Sequence, residues 1–236
     1  MFSLLEQTGG AMAFTRISTH GYLFLRQWQP EVPTLELANR IGTVIDIERI
    51  AAAHRISNVQ TLVPRGSEES SLHSYSGVYG LGEFPPHTDY AHWSIPPRFL
   101  MLRCLVGDPS VSTYLLPAAC IADRTSRIID RAIVAPRRKH PTQVLCPLAV
   151  RYRHGAQIGF RWDALFLRPF NQPAEALANV VSTLAEDKRI AITLSNPGDT
   201  LIIDNWRMLH GRSAVPPQAR GRRIERIYMS TLWEVK

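Results

Sequence analysis

Apolar residues occur along this chain mostly in short runs that are separated by turn-forming residues. Short runs rich in β-branched and aromatic side chains predict strands. The runs with this pattern are VIDI, VQTLVP (Val59 to Pro64), PRFLMLRCLV, VLCPLAVRYR, GFRWDALFLRPF, AITL, TLIIDN and RRIERIYMSTLW. His154-Gly155 separates two of these runs and predicts a hairpin between them.

Helical spacing is clearest after the hairpin, where apolar residues recur on one face. That face consists of Leu177, Val180, Val181 and Leu184. Asn171 is placed to cap this helix, and Pro173 lies in its first turn. A shorter helix is predicted through LELANRI, with Thr34 as its cap and Gly42 at its end.

Two segments have less regular patterns. The segment from Ile121 to Lys139 looks partly helical and then basic, with Pro136 interrupting it. The stretch GSEESSLHSYSG is polar and small, which predicts a mobile surface loop that can act as a lid where it borders a site. Many short strands with a few helices predict a mainly β fold, either a sandwich or a barrel with helical cover.

Length and composition predict one ordinary globular domain. The chain has 236 residues, of which 45% are hydrophobic and 20% charged, and this balance excludes disordered, collagenous and coiled-coil classes. Apolar runs stay well below the roughly 20 residues that span a membrane. The start, MFSLLEQTGGAMAF, lacks the features of a secretory signal, so we expect a cytoplasmic protein without a membrane partner.

The cysteines and the net charge exclude few functions for this protein. Cys104, Cys120 and Cys146 stand singly, so neither a disulfide framework nor a cysteine zinc site is indicated. The 27 Lys and Arg residues exceed the 20 Asp and Glu residues, giving a formal net charge of +7. This excess is compatible with nucleic acid, an anionic surface or anionic small molecules as partners.

A histidine and an aspartate in His87-Thr88-Asp89 are the first candidates for a site. In extended chain, residues two positions apart point to the same face, so His87 and Asp89 would project together. Pro85 and Pro86 favour such an extended backbone. The pair supplies two thirds of a 2-His-1-carboxylate triad for ferrous iron. Taken alone, the triplet is more often a set of surface polar groups.

His210 is the candidate for the third ligand. The strand predicted for TLIIDN would return the chain across the sheet, so that Met208-Leu209-His210 delivers an imidazole to the pair. The alternative for His210 is a buried histidine satisfied by hydrogen bonds.

Two arginines near the end of the chain are candidates for binding a carboxylate. Arg222 and Arg226 are an even number of residues apart and share a face if they lie on one strand. A guanidinium beside an iron site can bind a carboxylate through two parallel hydrogen bonds. Thr113 could add a hydroxyl to the same carboxylate. The alternative is that these arginines are solvated surface charges.

Four ordered segments carry a resemblance to a known family. They are GLGEFPPHTDYAHWSIPPRFLMLRCL, SVSTYLLP, GDTLIIDNWRMLHGRSAV and RRIERIYMSTLW. In this order they resemble the signature blocks of the iron(II)/2-oxoglutarate dioxygenases of the taurine dioxygenase and γ-butyrobetaine hydroxylase superfamily. The resemblance covers about half of the chain from Gly80 onward and is faint before Gly80.

The resemblance implies a fold and a set of site residues. The family fold is a double-stranded β-helix, or jelly roll, in a single domain over 1–236. Its metal and cosubstrate core would span about 80–236, and 1–79 would supply helical and strand cover and a substrate-pocket loop. The implied iron ligands are His87, Asp89 and His210. The implied cosubstrate residues are Thr113 and Arg222 at the distal carboxylate of 2-oxoglutarate, with Arg226 near its iron-chelating end or the substrate.

The resemblance also implies a reaction. The cofactors would be Fe(II), 2-oxoglutarate and O2, with ascorbate as an in vitro reductant, and the products would include succinate and CO2. The substrate would be a small metabolite, anionic or zwitterionic if the positive charge is felt at the entrance. Hydroxylation is the default outcome, with desaturation, cyclisation and epoxidation equally compatible with these ligands. Asp89 disfavours a halogenase, because that variant lacks the carboxylate.

The sequence argues against three other functions for this protein. A nucleic-acid demethylase is disfavoured because RRIERIYMS lacks the Asn and Thr of an RxNxTxR-like strand. A catalytically silent jelly-roll binding protein is disfavoured by the complete triad and Arg222. A pyrophosphate loop at Gly77, Gly80 and Gly82 fails because PPHTD follows instead of a helix.

Three aromatic residues are candidates for lining a substrate pocket. They are Tyr75 in the SYSGVYG segment, Trp162 and Trp206. Aromatic residues in strands are more often plain core, which is the alternative for each of them. The sequence indicates no oligomeric state.

Overall fold

The architecture comes from a computed structural model that describes residues 17–50, 56–125, 127–137 and 146–233. Antiparallel strands dominate these ranges, as the short apolar runs predict. The strands are β1 Tyr22–Leu25, β2 Gly42–Val44, β3 Gln60–Leu62, β4 Phe84–His87, β5 Phe99–Val106, β6 Ser112–Pro117, β7 Ile133–Pro136, β8 Leu148–Ala149, β9 Arg151–His154, β10 Gln157–Phe160, β11 Leu167–Pro169, β12 Ile190–Thr193, β13 Thr200–Asp204, β14 Met208–Arg212 and β15 Arg223–Leu232.

The helices are few and mostly short. The α-helices are α1 Thr34–Ile41, α2 Ile47–Ile50, α3 Tyr75–Tyr79, α4 Ala118–Thr125 and α5 Gln172–Asp187. Short 3-10 turns occur at Ser67–Glu69, Ile129–Arg131 and Pro217–Gly221. None of the helices in the described ranges is long and apolar enough to cross a membrane.

Two main antiparallel sheets organise the described strands. The six-stranded sheet has the order β1-β13-β5-β15-β2, with β3 also paired to β15, and the four-stranded sheet has the order β12-β6-β14-β4. One buried cluster contains side chains from both sheets, so the sheets pack face to face. Its members include Leu100, Leu102, Leu115, Ile192, Leu201, Ile203, Met208, Ile224 and Tyr228. Removing these side chains from water stabilises the pairing of the sheets.

Helices cover the outer faces of both sheets. Leu37 and Ala38 of α1 pack with Met101, Ile227 and Met229 of the six-stranded sheet. Helix α5 packs beside the four-stranded sheet through the apolar face read from the sequence, with Leu177, Val181 and Leu184 in a cluster that includes Leu116 and Leu209. The fold is therefore mostly β with helical cover, as predicted.

The hairpin and the longest helix are confirmed. Strands β9 and β10 pair antiparallel, with Gln157 opposite His154, and Gly155 takes a positive φ of 58° in the turn. The Asn171 side chain accepts a hydrogen bond from the Ala174 backbone N–H at 3.2 Å and caps α5. Both features depend on residues close together in the chain.

The prediction that Thr34 caps α1 is wrong. Pro33 occupies the cap position without a side-chain hydrogen bond, and Thr34 is the first helical residue. The Thr34 hydroxyl donates instead to Glu225 of β15, far away in the sequence. A tertiary acceptor therefore replaces the local capping bond. Gly42 does end the helix, as predicted.

Three other local predictions need correction. The stretch GSEESSLHSYSG is not wholly loop, because it contains the turn Ser67–Glu69 and begins α3. VIDI is not one strand, because β2 ends at Val44 and Ile47 begins α2. The partly helical segment from Ile121 contains the end of α4 and the 3-10 turn Ile129–Arg131, and then continues as strand β7 at Ile133–Pro136. Its basic end, residues 138 and 139, lies outside the described residues, as does the segment MFSLLEQTGGAMAF.

Candidate metal centre

Pairing of β4 with β14 brings two distant histidines together. His87 ends β4 and lies directly opposite His210 of β14, and the ring centroids of the two imidazoles are 4.5 Å apart. Gly211 permits the close approach, because a Cβ at that position would lie 2.5 Å from the carbonyl oxygen of Phe84. Strand register therefore supplies the convergence that sequence spacing could only suggest.

Asp89 completes a three-residue cluster. Its carboxylate lies 3.7 Å from His87 Nε2 and 3.6 Å from His210 Nε2. One ligand atom from each residue can be chosen so that all lie within 4.8 Å of one another. All three residues are more than nine-tenths buried. Two imidazoles and one carboxylate thus converge in a site shielded from water.

The protonation state of His87 suits it to metal binding. Burial is the main cause that lowers its pKa to about 3, and nearby His210 lowers it further, so the imidazole is neutral near pH 7. His87 Nδ1 lies 2.9 Å from the carbonyl oxygen of Pro85. A carbonyl can only accept, so Nδ1 carries the proton and Nε2 presents a lone pair toward Asp89.

Charged and polar groups of β15 hold Asp89 ionised. Burial raises the pKa of this carboxyl, but Arg226 and the two histidines outweigh burial and bring the pKa well below its usual range. Arg226 Nη1 donates to both carboxylate oxygens, at 3.1 and 3.4 Å, and the Tyr228 hydroxyl donates at 2.7 Å. Gln60 accepts from Arg226 Nη2 at 2.6 Å and fixes the guanidinium.

The backbone of the His87–Asp89 segment is fixed as well. The Asp89 N–H donates to Asn205 Oδ1 at 2.8 Å, and Asn205 Nδ2 donates back to the Asp89 carbonyl at 3.0 Å. The Thr88 N–H donates to the Trp162 carbonyl at 2.8 Å, and the Trp162 N–H donates to the Thr88 hydroxyl at 3.1 Å. These bonds fix the backbone that carries the His87 imidazole and the Asp89 carboxylate.

The donor set fits one divalent transition-metal ion. Ligands to a single such ion lie about 2.0–2.2 Å from it, so two of them are at most about 4.4 Å apart. The carboxylate-to-imidazole distances of 3.6 and 3.7 Å satisfy this limit. His210 Nδ1 is buried and has no partner among the described residues. Two imidazoles with one carboxylate are the donors of the facial triad for Fe(II).

Arg222 is a buried cation that forms no salt bridge within the described ranges. It lies just before β15, is 8% exposed, and its Nε has no hydrogen-bond partner in the described ranges. Burial lowers its pKa, and Arg222 in turn lowers the pKa of Arg212, which burial and this second guanidinium together bring to about 10. Arg212 pairs in register with Thr113 of β6. Two guanidinium groups and a hydroxyl-bearing strand thus form a region suited to an anion.

One family model and one curated relative are similar to this chain. Residues 132–228 match the family model described as "Taurine catabolism dioxygenase TauD, TfdA family". An L-lysine 3-hydroxylase of Catenulispora acidiphila is 28% identical over 198 residues, which cover 77% of this chain and 52% of the relative. Over residues 132–228 the chain is similar to the TauD/TfdA family, which confirms the resemblance stated from the sequence. The chain spans about half the length of the curated relative it matches.

Solved structures share the fold of this chain. An asparagine oxygenase in complex with Fe(II), 2S,3S-3-hydroxyasparagine and succinate superposes with a TM-score of 0.70 at 17% identity, covering 97% of this chain and 80% of the other. The non-heme iron oxygenase OrfP, in complex with Fe and alpha-ketoglutaric acid, superposes with a TM-score of 0.62 at 17% identity, covering 93% and 78%. At these identities the likeness concerns the fold alone.

The three aromatic candidates for a substrate pocket lie in different surroundings. Tyr75 stacks on His87, with ring centroids 4.1 Å apart, so it borders the cluster. Trp162 lies in the core cluster that contains α5. Trp206 is buried, and its indole donates to the Pro96 carbonyl at 2.9 Å. The two tryptophans therefore have structural contacts, as the core alternative expected.

Sequence reasoning did not identify several residues around the candidate metal centre. They are Gln60, Asp163, Asn205, Arg212 and Tyr228. Tyr228 lies two positions after Arg226, and period-two alternation on β15 could have indicated it. Asn205 follows a predicted strand directly, but nothing local shows that its amide contacts Asp89.

Proposed function

We propose that this chain is an Fe(II)/2-oxoglutarate-dependent dioxygenase that hydroxylates an unactivated C–H bond of a small zwitterionic metabolite, with release of succinate and CO2. The observation that carries the proposal is the buried cluster of His87, Asp89 and His210. Its neutral imidazole and ionised carboxylate are chemically matched to ferrous iron. Three protein donors would leave positions for a cosubstrate and dioxygen.

His87, Asp89 and His210 would bind the metal. Hydrogen-bond partners would orient two of these ligands, His87 and Asp89. When bound, Fe(II) supplies the activation of O2 that couples oxidative decarboxylation of 2-oxoglutarate to oxidation of the substrate. Asp89 remains an ionised ligand because Arg226 and Tyr228 donate to it. His87 keeps its Nδ1 proton on the Pro85 carbonyl and so keeps Nε2 free for the metal.

Arg222 would bind the distal carboxylate of 2-oxoglutarate, with Thr113 adding a hydroxyl. Support comes from the unpartnered Nε of Arg222 and the absence of any described acidic group in a salt bridge with it. A carboxylate would offset the cost of burying this guanidinium. Arg226, which lies against Asp89, would act near the iron-chelating end of the cosubstrate or the substrate.

The substrate class is proposed from the relatives. The curated relative is a lysine 3-hydroxylase, and one structural relative was solved with a hydroxylated asparagine. A free amino acid is accordingly the substrate we propose, with Tyr75 bordering its position. Trp162 and Trp206 remain more distant candidates, because both are packed in the core.

We also propose a jelly-roll architecture and a cytoplasmic location for this protein. The two facing antiparallel sheets support a double-stranded β-helix, or jelly roll, in a single domain over 1–236 with its core at about 80–236. The three single cysteines are compatible with a reducing, cytoplasmic location.

Succinate formation tests the activity. Purified protein would be incubated with Fe(II), 2-oxoglutarate, ascorbate and O2 across a panel of amino acids, betaines and sulfonates. We expect at least one amino acid to stimulate succinate release and to gain one oxygen atom by mass spectrometry. Failure of the protein to bind Fe(II) would identify it as a silent member of the fold.

A further inference from the structure

Asp163 is a buried carboxylate next to the metal cluster. It is 3% exposed, and the Tyr75 hydroxyl donates to its Oδ1 at 2.9 Å. The ring of that tyrosine stacks on His87. The carbonyl of the preceding residue, Trp162, accepts from the Thr88 N–H, and the Trp162 N–H donates to the Thr88 hydroxyl. Asp163 is therefore held beside the His87–Asp89 segment from both its side chain and its backbone.

The hydrogen bonds of Asp163 are concentrated on one oxygen. The backbone N–H groups of Leu165 and Phe166 also donate to Oδ1, at 2.8 and 3.0 Å. Within the described ranges, Oδ2 receives no hydrogen bond, and no Lys, Arg or His forms a salt bridge with Asp163. One oxygen of this carboxylate therefore has no hydrogen-bond partner among the residues that the structure describes.

An unpaired buried carboxylate is costly, and the ionisable side chains that shift its pKa, Tyr75 and Asp89, bring no positive charge. Arg137 donates to the backbone carbonyl of Ala164 and not to this carboxylate. Burial is the main cause that raises the pKa of Asp163 to about 6, and the charge of Asp89 raises it further against the three hydrogen bonds. Tyr75 and Tyr79 face the same carboxylate and have raised pKa values, mainly through burial. A cation placed here would offset the desolvation of Asp163.

We propose that Asp163 binds a cationic nitrogen group of the substrate, an ammonium or guanidinium, and so selects for substrates that carry this group. The proposal rests on the proposed function for the site itself. Asp163 would set which carbon lies near the metal, because it is fixed relative to His87 through Tyr75 and Thr88. The alternative is that Asp163 only anchors Tyr75 and the turn at residues 163–166.

Asp163→Asn separates the two roles. An asparagine keeps an oxygen for the Leu165 and Phe166 N–H groups and for Tyr75, but it removes the negative charge. Asp130→Asn is the matched control, because it makes the same change of net charge at an exposed residue paired with Arg151. Thermal unfolding and circular dichroism of both variants would show that each remains folded.

Binding is measured by calorimetry on protein loaded with Mn(II) and 2-oxoglutarate, so that turnover is not required. The probes are L-lysine, L-norleucine, which lacks the side-chain ammonium, and 6-aminohexanoate, which lacks the α-ammonium. L-Arginine and L-citrulline form a second pair. We expect the wild type to bind the probe with the additional cationic nitrogen about tenfold or more tightly than the probe that lacks it. Asp163→Asn should remove that preference, and Asp130→Asn should keep it.

The pattern of lost preference identifies the group that binds. Loss of the lysine-over-norleucine or arginine-over-citrulline preference assigns Asp163 to the side-chain cation, and loss of the lysine-over-6-aminohexanoate preference assigns it to the α-ammonium. Equal affinities for wild type and Asp163→Asn, or no binding of lysine and arginine, overturn the proposal. If the enzyme forms succinate only with substrates that lack a cationic nitrogen, this inference is refuted. The proposed function would still stand in that case.

Discussion

The hydroxyl of Tyr228 donates a hydrogen bond to Oδ2 of Asp89 at 2.7 Å, between residues 139 positions apart. Tyr228 is 1% exposed and lies in the cluster between the two main sheets. The bond therefore connects the hydrophobic core with the carboxylate of the candidate metal centre. Partners of metal ligands orient them and tune their affinity for the ion.

Tyr228→Phe removes that bond and keeps the ring in the core. We expect divalent metal affinity to fall by about 10- to 100-fold, because Asp89 loses a donor that fixes its orientation. Titration with Fe(II) under anaerobic conditions measures the change. Tyr152→Phe is the control, since the Tyr152 hydroxyl is also buried but has no partner among the described residues. Equal losses in both variants would contradict the assigned role of Tyr228.

Arg222→Ala should weaken 2-oxoglutarate binding. The carboxylate of the cosubstrate would lose a buried charged partner, at a cost of about 3 to 5 kcal/mol, which corresponds to about a hundredfold or more in affinity. The apparent affinity for 2-oxoglutarate in the succinate assay measures this loss. Arg220→Ala is the matched control, because Arg220 is exposed and close in the chain. An unchanged affinity in Arg222→Ala would refute the role of Arg222.

His87→Ala and His210→Ala should each abolish succinate release while the protein stays folded. Each change removes one imidazole from the cluster and leaves Asp89 with a single histidine. Circular dichroism and thermal unfolding check the fold, and metal titration checks the site. His154→Ala serves as the control, since His154 lies in the β9–β10 hairpin. Full turnover in either cluster variant would remove that histidine from the ligand set.

Asp163 gives a pH dependence of stability with a defined sign. Its pKa is about 6 in the folded chain and about 3.8 when unperturbed, so the folded state binds more protons between these values. Wild-type stability should fall relative to Asp163→Asn as the pH rises from about 4 to about 6. Denaturant unfolding of both proteins at pH 4, 5, 6 and 7, without metal, measures the difference. A constant difference across this range would contradict the raised pKa.

Local features of this protein could be predicted from the sequence because their partners are close in the chain. Asn171 caps α5 through a residue three positions away, and the β9–β10 hairpin closes over a short turn. The alternation that groups His87 with Asp89 is likewise local. Thr34 shows the limit of such reasoning, because Glu225 in a distant strand replaces its expected capping bond.

The sequence by itself determined the mainly β character, the capped helix and the candidate ligands, since residue type and short-range spacing carry that information. Tertiary structure decided the rest. The register of β4 against β14 sets His210 opposite His87, and residues more than a hundred positions away hold Asp89 in place. Such contacts arise when two sheets pack over a shared core, and no local periodicity encodes which distant side chains will meet there.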